Sequence, residues 1–120
     1  MMRNLSVLSS KYPEMVPDKS AMAPFAYWGF ECGDGWYDLI DTLCHDLQEL
    51  TRQGHPQLKI MQCKEKFGLL RFNAPGGSPE QKALIAAAQN ASEKICESCG
   101  DPGEIDYSAF WVKVRCPKCK

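Results

Sequence analysis

Apolar residues between Trp36 and Arg52 fall at Trp36, Leu39, Ile40, Leu43, Leu47 and Leu50, the i, i+3, i+4, i+7 spacing that gathers them into one stripe of an α-helix. Asp34 or Gly33 supplies the N-cap, and Gly54 followed by Pro56 closes the helix. Ahead of it, Leu5, Val7 and Leu8 in RNLSVLSSK predict a short helix ended by Tyr12-Pro13. The stretch MVPDKSAMAPFAYWGFECGDG is punctuated by Pro17, Pro24, Gly29, Gly33 and Gly35. It reads as a long connection with a short strand in Phe25 to Phe30, and most of its aromatics (Phe25, Tyr27, Trp28, Phe30) are expected on the core.

The period changes over LKIMQCKEKFGLLRFN, residues 58–73. Leu58, Ile60 and Gln62 share one side of a first strand, Leu70 and Phe72 share one side of a second, and Glu65 to Gly68 forms the turn of a hairpin. Ala74-Pro75-Gly76-Gly77 stops the sheet. Ser78 at the N-cap, Pro79 at the first helical position and Gln81 at the third then make a capping box. It opens an alanine-rich helix running to about Ile95, with Leu84, Ile85, Ala88, Ala91, Ser92 and Ile95 facing inward.

The last segment, ICESCGDPGEIDYSAFWVKVRCPKCK, has a different logic. It carries C-x-x-C twice, Cys96/Cys99 and Cys116/Cys119, with sixteen residues between the pairs. Each pair can turn two thiolates to one side of a tight knuckle, and the spacer suits a hairpin that returns the second knuckle beside the first. Gly100 fits the left-handed turn of the first knuckle, Pro117 stiffens the second, and Tyr107 to Arg115 alternates as the returning strand. One structural Zn²⁺ per chain is the leading expectation, with an iron-containing four-cysteine site and two separate redox pairs as the alternatives. Four thiolates leave no open position for water, so such a site holds structure and does not hydrolyse. The expected class is α+β: an amphipathic helix, a β-hairpin and an alanine-rich helix in a small domain over residues 1–95, with a zinc ribbon over 96–120 packed on it.

Composition narrows the function classes. A chain of 120 residues with 44% hydrophobic and 24% charged residues is ordinary for a single globular domain. The net charge of −1 hides an asymmetry: residues 1–55 hold four Lys/Arg against eight Asp/Glu, and residues 56–95 hold six against three. No run reaches the roughly 18 apolar residues of a membrane span, and MMRNLSVLSSKYPEM lacks a signal-peptide core. No membrane partner and a cytosolic setting are therefore expected, where seven cysteines mean metal ligands or buried thiols and not disulfides.

Outside the four paired cysteines, two sets of residues attract attention. Asp34, Asp38, Asp41 and His45 share one helical face opposite the leucine stripe. The bland reading is a solvated face whose acids favour the helix dipole; the sharper one is a contact surface for a basic partner. Lys64, Lys66 and Arg71 around the hairpin, with Phe67 at its turn, could grip a phosphate backbone and stack a base, or simply form a charged solvent face with edge lysines. Lys113 and Arg115 add to this, but Glu97, Asp101, Glu104 and Asp106 offset them. Cys44 is expected in the core, Cys32 near the zinc module or buried. A nucleophile pair of Cys32, Cys44 or Cys63 with His45 or His55 is conceivable, but nothing in the sequence fixes either imidazole against a thiol.

ECGDGWYDLID (31–41), KEKFGLLRF (64–72), the run Ser92, Ile95, Cys96, Glu97, Cys99, Gly100, Pro102, Gly103, and then Trp111 with the closing C-x-x-C resemble an uncharacterised family of small phage and prophage proteins. Leu69 departs from its pattern, where Gly is more frequent. The resemblance implies a phage or prophage origin, action in the host bacterial cytoplasm and a zinc-binding C-terminus, and it brings no catalytic residues. With the elimination above, it leads to the expectation of a non-enzymatic accessory protein. Such a protein binds and modulates a host protein, inhibiting or redirecting a defence or nucleic-acid enzyme; the alternative is a zinc-ribbon nucleic-acid-binding regulator, and a metal-dependent or redox enzyme is a third reading.

Overall fold

The central amphipathic segment folds as expected. In the computed structural model, which describes residues 4–106 and 113–117, it forms α3 (Tyr37–Arg52), with Ile40, Leu43, Cys44 and Leu47 buried. It begins two to three residues later than a cap at Asp34 or Gly33 would place it. Asp34–Trp36 is a 3-10 turn with Gly33 at its N-cap, and Trp36 stands at the start of the α-helix, wholly buried. Before it come α1 (Val7–Lys11), a 3-10 turn at Pro13–Met15, α2 (Pro24–Trp28) and β1 (Phe30–Glu31). After it come β2 (Gln62–Lys66), β3 (Leu69–Asn73), α4 (Pro79–Ser92), β4 (Glu104–Asp106) and β5 (Lys113–Arg115). The class is α+β.

The strand expected over Phe25 to Phe30 is instead a turn of helix followed by a very short strand. Pro24 sits at the first helical position of α2 and Gly29, at φ +64°, ends it. A helical turn spreads the aromatics around its circumference, so only two reach the core. Phe25 is buried with Phe30 edge-on to it at 4.8 Å, whereas Tyr27 and Trp28 are exposed, Trp28 by 74%. β1 pairs parallel with β2, Phe30 opposite Cys63 and Glu31 opposite Lys64. A parallel pair needs a crossover, and α3 is that crossover.

The hairpin of β2 and β3 is present but shorter and shifted in phase. Its strand begins at Gln62, and the core-facing residues are Cys63 opposite Phe72 and Glu65 opposite Leu70, so Gln62 does not continue the side of Leu58 and Ile60. Leu58 and Ile60 are buried, but their backbone is used differently: Ile60 N–H donates to Met15 O, and the Met61 carbonyl accepts from Phe25 N–H. The bend at Met61 resets the alternation. The turn is the two-residue loop Phe67-Gly68, with φ +54° and +85°, the left-handed pair of a type I′ hairpin.

α4 opens with the full capping box, Gln81 N–H donating to Ser78 Oγ at 3.3 Å and Ser78 N–H to Gln81 Oε1 at 2.9 Å. Gln81 is itself buried, its Nε2 donating to Pro56 O. Along the helix Ala88 and Ser92 are buried, Leu84 and Ile85 half-buried, and Ala91, expected inward, is exposed. α4 also covers the outer edge of the sheet. The order β1-β2-β3 leaves β3 an edge strand. Its outward amides are taken by side chains of α4, Leu70 N–H by Ser92 Oγ at 2.9 Å and Phe72 N–H by Gln89 Oε1 at 3.0 Å. That closes an edge which would otherwise invite strand addition.

β4 and β5 form a separate antiparallel pair, Ile105 opposite Val114. Val114 belongs to the same buried cluster as Trp36, Ile40 and Leu70. Most of the strand expected over Tyr107 to Arg115 lies outside the described residues, as does Cys119. Among the described residues no helix is long and apolar enough to cross a membrane.

Candidate metal centre

Cys96, Cys99 and Cys116 converge, their Sγ atoms all within 4.8 Å of one another and Cys99 to Cys116 at 3.4 Å. A tetrahedral site with metal–sulfur bonds of about 2.3 Å places its thiolates about 3.8 Å apart, so the cluster has the right scale to hold a metal ion. The six described cysteines are free thiols. Burial pushes the Cys96 thiol up, but backbone N–H donors of Cys116, Cys99 and Ser98 outweigh it and bring the pKa down to about 6. The knuckle is therefore built to carry thiolate. Cys119, expected as the fourth ligand, falls outside the described residues.

The knuckle is tight and well bonded. Gly100 N–H donates to Cys96 O at 2.9 Å with φ +86°, the left-handed turn anticipated for this position, and Cys96 N–H donates to Asp101 O at 2.8 Å. Glu97 N–H reaches across to Val114 O at 3.1 Å, tying the knuckle to β5.

What the sequence alone did not reveal is the clamp on its other side. Gly35 N–H donates to Glu97 O, and Gly33 N–H to Glu97 Oε2, each at 2.8 Å. Trp36 Nε1 donates to Ile95 O at 3.0 Å. Neither Gly33 nor Gly35 has a positive φ, so turn geometry is not why they are glycine. A Cβ at Gly33 would meet the Glu97 carbonyl oxygen; one at Gly35 would meet the Cys96 carbonyl oxygen and stand 2.5 Å from that of Glu97. Close backbone approach is the reason. The available signal was G-D-G-W directly before an amphipathic helix, with more glycine than a cap requires.

The acidic face expected on α3 is divided by the fold. Asp34 Oδ1 accepts from Leu5 N–H at 3.1 Å. Asp41 accepts from the Tyr12 hydroxyl at 2.6 Å and from Lys11 Nζ at 2.9 Å. Burial pushes the Asp41 carboxyl up, yet the Tyr12 and Lys11 hydrogen bonds prevail and hold it below its ordinary value. Burial and the same carboxylate raise Tyr12 well above the usual phenol range. Asp41 thus anchors the N-terminal segment, while Asp38 and His45 remain exposed, His45 Nδ1 lying 3.4 Å from Asp46.

On the hairpin, Lys64 and Arg71 stand directly opposite each other, and Lys66 Nζ lies 5.9 Å from the ring centre of Phe67, which is 71% exposed. The three cations therefore do share one region, on a different element from the acids of α3. Lys113 and Arg115 are on β5.

The other described thiols are not part of this cluster. Cys44 is buried and pushed up to about 12 by desolvation. Cys63, wholly buried, is raised by a hydrogen bond with Cys32 and by burial. Cys32 thus keeps company with Cys63, not with the knuckle. His55 Nδ1 lies 2.8 Å from Ser78 Oγ, a partner that packs the loop before β2 against the cap of α4. No protein-family model, no curated protein and no solved structure matches this chain.

Proposed function

We propose that this chain is a non-enzymatic binding protein, stapled by one structural Zn²⁺ on Cys96, Cys99, Cys116 and Cys119, whose partner is another protein. In the phage or prophage setting implied by the motifs GDGWYDLI and KEKFGLLRF, that partner is a host protein of the bacterial cytoplasm, a defence or nucleic-acid enzyme, which it inhibits. The observation that carries the reading is the way the thiol cluster is locked to the core. Gly33, Gly35 and Trp36 grip one side of the knuckle and Val114 the other. A metal held so by four thiolates supplies rigidity in place of an open coordination position.

Two measurements test it. Metal analysis is expected to give one zinc per chain, reduced in Cys96→Ser and in Cys119→Ser. The zinc-loaded protein, immobilised, is expected to capture a specific bacterial protein and lower its activity. Well under one zinc per chain, or failure to capture any protein, overturns the proposal.

A second reading, nucleic-acid binding, draws on Phe67. A bulky aromatic at φ +54° is strained, and with 71% of its surface in water it contributes little to the core. With Lys66 beside it and Lys64 opposite Arg71, it has the make-up of a stacking tip over a phosphate-binding face. Single-stranded DNA binding that falls steeply with salt and is lost in Phe67→Asn would favour this reading.

A further inference from the structure

Between α3 and α4 runs a shallow groove open to solvent. It consists of two adjoining hollows of about 410 and 460 Å³ that share Asp46 and Leu84. The first half of α3 faces the second half of α4 across it and the end of α3 faces the start of α4, so the helices run antiparallel. The floor is apolar, made by Leu39, Leu43 and Leu50 of α3 and Leu84 of α4. Ala83, Ala87 and Ala91, one helical turn apart on α4, are exposed along it. The walls are acidic: Asp38, Asp46, Glu49 and Glu80 line it, and no Lys or Arg does among the described residues. Arg52 meets Glu49 from outside the groove.

We propose that this groove is a docking site for a basic amphipathic helix of a protein partner, an inference that rests on the protein-binding function proposed above and names the chemistry of the partner. A third helix lying between two packed helices is the geometry of a helical bundle, and alanines at i, i+4 and i+8 let its backbone come close. From Asp38 to Leu50 the groove is about 18 Å long at 1.5 Å per residue, room for about three turns. Apolar residues at i, i+3, i+4 and i+7 of the incoming helix meet the leucine floor, and Lys or Arg on its flanks meet the four carboxylates. This assigns a role to Asp38, which the Tyr12–Lys11–Asp41 contact leaves on the surface, and adds Asp46, Glu49 and Glu80 to it. It takes Asp41 out of the partner surface.

The test uses the full-length zinc-loaded protein and two fluorescein-labelled synthetic peptides of about four helical turns. Both carry the same leucine face, one with lysines on its flanks and its twin with glutamates, and binding is read by fluorescence anisotropy. The lysine peptide is expected to bind at least about tenfold more tightly than the twin, and more weakly as salt is raised. Asp46→Lys and the neutral, groove-filling Ala87→Gln are each expected to weaken it about tenfold. Glu14→Lys, which changes net charge equally but does not line the groove, is expected to leave it within twofold. Circular dichroism melts confirm that each variant is folded.

Equal binding of the two peptides, or a lysine peptide as sensitive to Glu14→Lys as to Asp46→Lys, overturns the groove. So does undiminished binding in Ala87→Gln. A host protein captured equally well by wild type and Ala87→Gln also overturns the groove while leaving the protein-binding function intact. Peptide binding as expected, together with no captured protein, overturns the function and not the groove's chemistry.

Discussion

Gly35→Ala is the sharpest probe of how the cysteine knuckle is held. The added methyl would meet backbone on every near side: the Cys96 carbonyl oxygen, and the carbonyl carbon and oxygen of Glu97, both 2.5 Å away. Backbone cannot rotate away as a side-chain tip can, so the knuckle and the turn before α3 must separate. Overpacking of this kind costs about 1–3 kcal/mol. Separation also breaks the 2.8 Å bond from Gly35 N–H to Glu97 O, worth about 1 kcal/mol, and loosens the 2.8 Å bond from Gly33 N–H to the Glu97 carboxylate. A total of about 3 kcal/mol falls on the assembled knuckle, the form in which the three thiols converge, and lowers zinc affinity by up to about a hundredfold. Competition with a chromogenic chelator measures that affinity directly. Gly54→Ala is the control: its φ of +108° makes alanine strained, but no atom lies within 4 Å of the new methyl. It is expected to lower the melting temperature while leaving zinc affinity unchanged. Zinc affinity of Gly35→Ala within threefold of wild type would refute the clamp.

Three further expectations follow from single contacts. Phe67→Asn places a residue tolerant of the left-handed region in the type I′ turn and is expected to raise stability by about 1 kcal/mol, read as a higher urea midpoint; a lower midpoint would mean that the ring makes a contact worth more than its strain. Ser92→Ala removes the acceptor of the buried Leu70 amide and is expected to destabilise by about 1–3 kcal/mol; a neutral result in chemical denaturation would show that the amide has another partner. For Asp41 the folded-state pKa lies below its ordinary value of 3.8, so its stabilisation is present in full above that value and is lost as pH falls through the folded pKa. Urea melts from neutral to strongly acid pH should therefore show an acid limb that is shallower in Asp41→Asn, and an identical limb would remove Asp41 from it.

Elements whose cause is local were legible in the residues themselves. The leucine stripe of α3, the Ser78–Gln81 capping box, and the knuckle glycine at 100 each depend on neighbours within about one turn, and each stands where spacing places it. The turn that sets Cys96 beside Cys99 belongs with them, because a C-x-x-C knuckle encodes its own geometry; Cys116, seventeen residues on, is brought to it by the pairing of β4 with β5. Elsewhere long-range contacts overrode the local pattern. The alternation that began at Leu58 was reset at Met61 because Ile60 N–H donates to Met15 O while Met61 bonds Phe25 through its carbonyl and Asn73 through its amide. The parallel pairing of β1 is carried by only two residues, too few to leave a periodic signature.

The candidate site divides in the same way. From its sequence alone this protein determined its class, its main helices and the cysteines that cluster near its C-terminus, because hydrophobic period and capping act over a few residues and a C-x-x-C turn over four. Only the tertiary structure decided what the polar groups outside the helix caps do. Asp41 became an anchor for Tyr12 and Lys11, and the glycines before Trp36 became the seat of the cysteine knuckle. Asp38 and Asp46 came to border a groove that α4 completes. Those roles are set by which backbone or side chain arrives from far along the chain, and a close approach of that kind leaves no period in the sequence.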